Sequence, residues 1–351
     1  MRGGLLLLLC FAHYVTLFVL GYNIGLFMGP DSMEWHSLRH AVDQWNNENA
    51  VRSELSLDVV TPAESSVLIE SQLCDLLQNS VVAVFVPSSV DDNDLQMVYS
   101  MCYHFHVPCV TVHGREFFPP AGNDYVTSVA AAYGSTALAS LELVVNLRWR
   151  SFVLIYHNDY EVSEIVNLLA VWSRERGSIP PRARMRKLPE GTNDYQPFLK
   201  YIREVLRETN IIIHTNEIGL VHRILSQASG MNMTEAKYSY SMHQIYHCNI
   251  TGLQLVKSDP LVKTELALTS DAVNLIGNAL TGFKKHNTPI ESSALLCDAH
   301  DIWNDGQRLN PAIRSMSFTN GATGHIQTDS RGRRLETMFD GIGRINGKFV
   351  K

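Results

Sequence analysis

The stretch that most constrains the fold is Val81–Val86, a run of six residues without a polar side chain. A strand that is apolar on both faces belongs in a parallel sheet covered by helices on each side. Pro87 ends the run, and Ser88 and Ser89 follow it. These serines lie at the carboxyl edge, where open α/β sheets place their ligand crevices. The run therefore predicts an α/β fold with a crevice at this edge.

The rest of the chain repeats this alternation of strands and helices twice. Up to residue 113 the apolar pattern predicts β-α-β-α-β-α-β, the order of a doubly wound parallel sheet, and after a loop around 117–120 the order restarts. The predicted strands are 22–28, 55–59, 81–86, 109–112, 151–156, 183–188, 210–214, 237–242, 252–256 and 324–328. The first predicted helix has Asp31 or Ser32 as its cap. The later predicted helices cover 62–77, 95–105, 126–147, 162–172, 196–208, 218–228, 267–283 and 307–315. Two such units in 351 residues predict two lobes with a cleft between them.

The amino terminus predicts a secretory signal. Arg2 precedes an almost unbroken apolar run over 5–20, and the small residue Gly21 follows. We expect residues 1–21 to be the signal, with cleavage after Gly21, and the alternative is a signal anchor that stays uncut. A net charge of −6 gives no reason to expect nucleic acid or an anionic membrane surface as a partner.

Several motifs occur in an order that carries a family resemblance. They are T-N-I-I-I-H-T-N-E-I-G-L-V-H-R-I-L-S-Q-A with M-N-M-T-E-A-K-Y-S-Y (209–240), N-I-T-G-L-Q-L-V (249–256), L-T-S-D-A-V-N-L-I (268–276), and W-N-D-G-Q-R-L running on to G-A-T-G-H-I-Q-T-D-S-R-G-R-R (303–334). With them the chain resembles the amino-terminal domain of ionotropic glutamate receptors, most closely the kainate-type subunits. That domain has a bilobed fold similar to bacterial leucine/isoleucine/valine-binding proteins.

The resemblance implies an α/β clamshell of two doubly wound parallel-sheet lobes, the type I periplasmic-binding-protein-like fold. The chain would cross between the lobes three times. Lobe 1 would then contain 22–124 and 247–315. Lobe 2 would contain 125–246 and 316–351.

The resemblance also implies a disulfide between Cys74 and Cys297, which occupy the positions of a family bridge. The alternative is a pair of free buried thiols. Cys102 and Cys109 are expected in the core, one on a helix and one on a strand. Cys248 is left over, either as a free thiol or for an intermolecular bond.

Two sequons, Asn232-Met-Thr and Asn249-Ile-Thr, predict glycans on surface loops of a secreted chain. Asn249 lies in a stretch that resembles a sequon of the family. For Asn232 the alternative is a chance match.

Candidate ligand contacts follow the predicted strands of both lobes. They are Ser88, Ser89, Tyr160, Asn216 and Glu217. In amino-acid-binding relatives such loops hold the carboxylate and the ammonium group of the ligand. Val86-Pro87 stands where relatives often have Gly-Pro, which would crowd the crevice, so an empty cleft is the alternative.

The sequence gives no sign of an enzyme. It contains no G-x-x-x-x-G-K-[ST], G-x-G-x-x-G, H-E-x-x-H or G-x-S-x-G motif, so neither a catalytic site nor a cofactor is expected. His104 and His106 have no further metal ligands nearby in the sequence, and zinc sites need three or four. No metal site is therefore expected.

The resemblance implies an interaction module that dimerises through lobe 1 and directs the assembly of a glutamate-gated channel, as a homo- or hetero-dimer with other subunits. The helices 62–77 and 95–105 are the expected surfaces. The predicted interface stripe contains Leu95, Val98, Tyr99, Cys102 and Phe105. The alternative for this stripe is that it faces the sheet.

A second function class is a small-ligand, amino-acid-binding receptor ectodomain or secreted solute-binding protein that uses the cleft. As given, the chain is expected to be secreted, and postsynaptic at the plasma membrane if it belongs to a full-length receptor. A membrane would then be reached only through a channel region beyond Lys351. The sequence leaves open whether the chain is a fragment, an incomplete gene model or a natural soluble isoform.

Overall fold

Strands and helices alternate along the chain and build two main sheets and a short hairpin. The computed structural model describes residues 20–29, 32–62, 68–113, 124–131, 134–157, 163, 165–166, 169–170, 180–215, 218–234, 238–242, 250–255, 263–299, 301–345 and 348–350. The predicted α/β class with two wound units is confirmed.

The first sheet is wholly parallel. Its strands are β1 (Leu20–Gly25), β2 (Leu55–Val60), β3 (Val81–Val86), β4 (Cys109–Thr111) and β5 (Val126–Ser128), in the order β2-β1-β3-β4-β5. All six residues of β3 are buried, as expected for a central strand covered on both faces. The winding reverses between β1 and β3, and an open α/β sheet has its crevice at such a reversal.

The second sheet is mixed. Its strands are β6 (Ser151–Tyr156), β7 (Arg182–Lys187), β8 (Asn210–His214), β9 (Ser239–Met242), β10 (Ile250–Gln254), β13 (Asp340–Ile345) and β14 (Lys348–Val350). The order is β14-β13-β10-β9-β8-β6-β7. The strands from β7 to β10 are parallel and repeat the winding of the first sheet, with the reversal between β6 and β8. β13 and β14, two strands that the sequence did not predict, are antiparallel to their neighbours. The remaining strands, β11 (Phe318–Gly321) and β12 (Gly324–Ile326), form the hairpin.

The helices cover the sheets. They are α1 (Met33–Ser53), α2 (Ile69–Gln78), α3 (Asp92–Phe105), α4 (Ser135–Asn146), α5 (Gln196–Tyr201) continuing into a π-helical turn (Ile202–Leu206), α6 (Ile218–Gly230), α7 (Thr264–Lys285) and α8 (Gly306–Ser315). Ser32 caps α1 as predicted, because its hydroxyl accepts a hydrogen bond from the amide of Trp35 at 3.1 Å. The helix predicted over 62–77 begins at Ile69 in the described part, and residues 63–67 lie outside it.

The cores divide the molecule into two units. One continuous core surrounds the first sheet and includes side chains of α1, α2, α3, α7, α8 and the hairpin, which we call the first-sheet unit. The second sheet, with α4, α5 and α6, forms the second-sheet unit. Its two faces carry separate cores, because Val153 and Ile155 of β6 face one cluster and Phe152 and Leu154 face the other.

One predicted element was wrong. The helix expected over 126–147 is a strand, β5, followed by a separate helix, α4. Gly134 separates the two at φ +78°, a backbone conformation that favours glycine and lies outside the helical region. The prediction failed because the apolar residues around Val126 are compatible with a strand as well as with a helix.

The sheets also divide the chain differently from the predicted lobe boundaries. β5 lies in the first sheet although it was assigned to lobe 2, and β10 lies in the second sheet although it was assigned to lobe 1. Ile326 of the hairpin belongs to the first core rather than to lobe 2. β1 begins at Leu20, so the first two residues of this strand fall within the predicted signal, and its buried residues begin at Tyr22. The division into lobes and the signal remain predictions.

Candidate functional site

The carboxyl edge of the first sheet presents two hydroxyl groups. Ser88 and Ser89 are exposed directly after β3, beside the reversal between β1 and β3. The Ser88 hydroxyl donates a hydrogen bond of 2.6 Å to the carboxylate of Glu265 in the first turn of α7. Val86 and Pro87 are buried, so this edge is closed by apolar atoms beneath the serines. A ligand arriving here therefore meets a carboxylate that already holds one of the two hydroxyls.

The matching edge of the second sheet carries two histidines. His157 follows β6, while His214 ends β8 and pairs in register with Tyr156 of β6. His214 and the following Thr215 are buried. Sequence reasoning missed both histidines. The available signal was the one used for the serines, since each histidine stands at the end of a buried apolar strand.

Three of the predicted ligand contacts, Tyr160, Asn216 and Glu217, lie outside the described residues. The two sheet edges together offer hydroxyl, imidazole and carboxylate groups. These groups suit a small polar ligand with both hydrogen-bond donors and acceptors. Whether they meet in one site stays a prediction.

Histidines near the end of α3 serve structural contacts. Nδ1 of His106 lies 3.0 Å from Nε2 of Gln307, and its ring stacks on Tyr125 at 5.1 Å. Burial lowers the pKa of His106, and the nearby His104 lowers it further. In the part of the chain that the structure describes, no three residues of His, Cys, Asp or Glu come together as a metal site.

A disulfide joins α2 to the segment that precedes α8. It connects Cys74 and Cys297, 223 residues apart in sequence. The same junction is held by a backbone hydrogen bond of 3.0 Å from the amide of Leu295 to the carbonyl of Leu77. Cys102 and Cys109 are buried free thiols, and burial together with a hydrogen bond between them raises the pKa of Cys109. Cys248 lies outside the described residues.

Of the two sequons, one lies in the described part. Asn232 is exposed in the turn after α6, with φ at +57°, a conformation that asparagine tolerates better than most residues. Its position is compatible with the predicted glycan. Asn249 lies outside the described residues.

A buried polar network that sequence reasoning missed fastens the hairpin to α7. The carboxylate of Asp271, fully buried on α7, accepts hydrogen bonds from the amides of Ala322 and Thr323 at 2.7 and 2.9 Å. The hydroxyl of Thr323 also donates to it. Burial raises the pKa of Asp271, while these hydrogen bonds and the charge of Arg334 oppose the rise.

Arg334 completes this network from the chain beyond the hairpin. Its guanidinium is buried and donates to the Thr323 hydroxyl at 2.8 Å and to the carbonyl of Val129 at 3.0 Å. It also donates to the carbonyls of Thr323 and His325, both at 2.9 Å. The network therefore ties α7, the exit of β5 and the chain leading to β13 into one cluster. No local sequence pattern marks this network, because Asp271 lies 52 residues before Thr323 and even further from Val129.

The sequence of this two-sheet chain matches one known protein family over most of its length. A family described as "Receptor family ligand binding region" matches residues 34–344. The chain belongs to this family. The match includes the disulfide, the buried network and every strand except β1 and β14.

Among curated proteins this receptor ligand-binding region is similar to "Glutamate receptor ionotropic, kainate 1" from Homo sapiens and from Macaca fascicularis. Each is 24% identical over 309 residues, covering 76% of this chain and 32% of the relative. The chain thus spans about a third of the length of the curated relatives it matches. These matches support the resemblance to an ionotropic glutamate receptor amino-terminal domain. None of the described helices has the length and apolar character needed to cross a membrane.

The interface stripe predicted for this receptor ligand-binding region faces its core. Its five members are all buried in the first core: Leu95, Val98, Tyr99, Cys102 and Phe105. They cannot contact a partner directly, because the sheet already covers this face of α3. The apolar side chains that α3 does expose are Met97, at 44%, and Tyr103. The structure shows the alternative, in which the stripe faces the sheet.

Proposed function

We propose that this receptor ligand-binding region is the extracellular amino-terminal domain of a kainate-type ionotropic glutamate receptor subunit, and that it directs dimerisation and receptor assembly. The domain would reach the postsynaptic membrane through a channel region in the same subunit. The similarity to kainate 1 supports the receptor class. The observation that carries the dimerisation is an exposed apolar surface on the first-sheet unit.

This surface lies on α3 and on the segment that precedes α8. Met97 and Tyr103 project from α3, while Leu296 and Ile302 are about half exposed on the segment. The segment adjoins the helices, since the amide of Trp303 donates to the carbonyl of Phe105 at 3.0 Å. We call Met97, Tyr103, Leu296 and Ile302 the α3 surface. Contiguous exposed apolar patches mark interaction sites, and we propose that these four side chains belong to one such patch.

The α3 surface suits a dimer interface. Tyrosine is enriched among the residues that dominate binding, and methionine adapts its shape to a partner. A stable interface would bury on the order of 1,600 Å² in total, so these four side chains would form its centre. The disulfide holds the segment against α2, which keeps the surface in one shape and reduces the entropic cost of binding.

Sedimentation of the secreted domain tests this proposal. The wild type should show a monomer–dimer equilibrium, and Met97→Glu with Ile302→Glu should give a monomer with unchanged thermal unfolding. The matched control is Leu138→Glu with Val145→Glu, which charges two exposed apolar residues of α4 on the second-sheet unit. The proposal fails if the control abolishes the dimer and the α3 variant does not.

A second candidate function is the binding of a small amino acid between the two sheet edges. The histidines at the ends of β6 and β8 favour it, since imidazoles can hold a ligand carboxylate. The hydrogen bond from Ser88 to Glu265 speaks against it, because the Ser88 hydroxyl already donates its one proton and cannot also donate it to a ligand carboxylate. We therefore expect calorimetry with glutamate and glycine to show no saturable heat. A micromolar affinity that is lost in His214→Ala would establish ligand binding instead.

A further inference from the structure

The edge strand of the second sheet carries a row of arginines. Arg182, Arg184 and Arg186 alternate along β7 and therefore share one face of the sheet. Ala183 and Met185 face the other way and pack against a core. The chain as a whole has a net charge of −6, so this row is a local concentration of positive charge. We call the three arginines the basic edge.

The basic edge contacts α5 and the π-helical turn that follows it. Arg184 donates a hydrogen bond of 2.7 Å to the carbonyl of Leu206, and the guanidinium of Arg186 lies over the ring of Tyr201 at 5.9 Å. Among the described residues no carboxylate forms an ion pair with the basic edge. Each guanidinium has five donors, so both arginines keep free N–H groups. The row is therefore ordered and still able to bind anions.

Exposed apolar side chains border the basic edge. Tyr201 is partly exposed, and Val205, one helical turn further, is 65% exposed. A small inorganic anion would gain nothing from these two residues. A polypeptide that brings both carboxylates and apolar side chains would contact the arginines and the apolar border together.

The backbone of β7 offers a second kind of contact. Arg182 and Leu188 donate their amides to β6, to the carbonyls of Arg150 at 3.0 Å and Tyr156 at 2.8 Å. Because alternate residues of a strand point their peptide groups to opposite sides, Ala183 and Met185 direct theirs away from β6. No strand in the described part of the chain pairs with that side. An open row of peptide groups is a template for one more strand.

The charges decide which strand can be added. A second copy of β7 would place arginines opposite arginines, and like charges across a strand pair are destabilising. An acidic strand would place its carboxylates opposite the arginines at the same two-residue repeat. We propose that β7 binds an extended acidic segment of a partner protein by strand addition, with carboxylates at alternate positions facing Arg182, Arg184 and Arg186. This site lies apart from the α3 surface and does not depend on it.

Titration of the full chain with a fluorescent peptide tests this inference. The probe is a capped peptide of strand length that alternates glutamate with valine, and it should bind with an affinity that falls as salt is added. Arg182→Ser with Arg186→Ser should weaken binding about tenfold, at about threefold for each lost cross-strand charge pair. Arg184 is left in place because it holds the Leu206 carbonyl. Arg39→Ser, on the first-sheet unit, is the matched control and should leave binding unchanged.

A second probe separates strand addition from simple charge attraction. The same peptide with methyl groups on alternate backbone nitrogens keeps its carboxylates but cannot pair with β7, so it should bind at least tenfold more weakly. Equal binding of the two peptides would overturn strand addition. Tighter binding of a heparin oligosaccharide than of the peptide, with the same dependence on the two arginines, would show that the basic edge serves a sulfated polysaccharide and would overturn the proposal.

Discussion

The first sheet is enclosed by one continuous core, whereas the second sheet separates two smaller cores on its opposite faces. The first-sheet unit also contains the disulfide and the buried network around Asp271. Surface ion pairs occur on both units, as Arg308 with Asp305 and Lys187 with Glu190 show, while the basic edge of the second-sheet unit has no such partner among the described residues. The first unit is thus held by more long-range contacts, and it is the unit that we propose to pair with a second copy.

The largest loss of stability is expected from a substitution in the buried network around Asp271. Asp271→Ala removes the acceptor of three hydrogen bonds and also the negative charge that interacts with the buried Arg334. Breaking such a pair from one side should lower the free energy of unfolding by about 3–5 kcal/mol. Urea denaturation measures it. The control, Arg333→Ala, removes an exposed ion pair with Asp329 and should cost less than about 1 kcal/mol. Equal losses in the two variants would show that the network does not fasten the first-sheet unit.

The disulfide should have the next largest effect. Replacing Cys74 and Cys297 by alanine frees a loop of 223 residues and should cost about 2–5 kcal/mol. Selective reduction of the wild type, which leaves the buried Cys102 and Cys109 unchanged, should reproduce the loss. Limited proteolysis should then cut the segment before α8 before it cuts the second-sheet unit. First cuts in the second-sheet unit would contradict the comparison.

Two glycines of α7 give a matched test of packing in the first core. Gly277 lies against the indole ring of Trp45, where a Cβ atom would overlap the ring, while nothing lies near Gly282. Gly277→Ala should therefore cost about 1–3 kcal/mol. Gly282→Ala should stabilise the helix by about 0.4–1 kcal/mol, because alanine restricts the unfolded chain. Thermal unfolding distinguishes the two, and a stabilising Gly277→Ala would mean that α1 and α7 pack loosely.

A smaller effect is expected at alkaline pH from the junction of β1 with the segment before α8. The Tyr22 hydroxyl donates to the carbonyl of Ile290 at 2.8 Å, and burial raises the pKa of Tyr22 from 10.0 to about 12. Because the pKa of Tyr22 is higher in the folded state, its protonated hydroxyl stabilises the fold at pH values below the pKa of the unfolded chain. This contribution to the free energy of unfolding is lost as the pH rises from 10.0 to about 12. Tyr22→Phe should thus lose less stability than the wild type across this range. Parallel curves of unfolding free energy against pH would refute the assignment.

Much of the fold could be predicted from the sequence, because buried parallel strands have a local signature. β3, β6 and β8 have the predicted bounds, since each is a short apolar run between turn residues. β5 was missed because three strand residues precede a longer helix and the apolar pattern is continuous across them.

The candidate sites were predicted less well because they depend on long-range contacts. The stripe from Leu95 to Phe105 has helical spacing, but spacing alone cannot say whether the sheet or a partner covers it. The Asp271 network joins residues far apart in sequence, and no local pattern marks it. The winding reversals, by contrast, place His157 and His214 at a ligand edge as soon as the strand order is known.

The central claim is that the rigid first-sheet unit pairs with a second copy through the α3 surface. Hydrogen–deuterium exchange of the wild type, compared at nanomolar and at tens of micromolar concentration, tests it directly, since domains of sub-micromolar affinity pair in the upper range. We predict added protection at high concentration in α3 and in the segment between the disulfide and α8, with none in α4 or β7. Protection confined to α4, or no change at any concentration, would contradict the account.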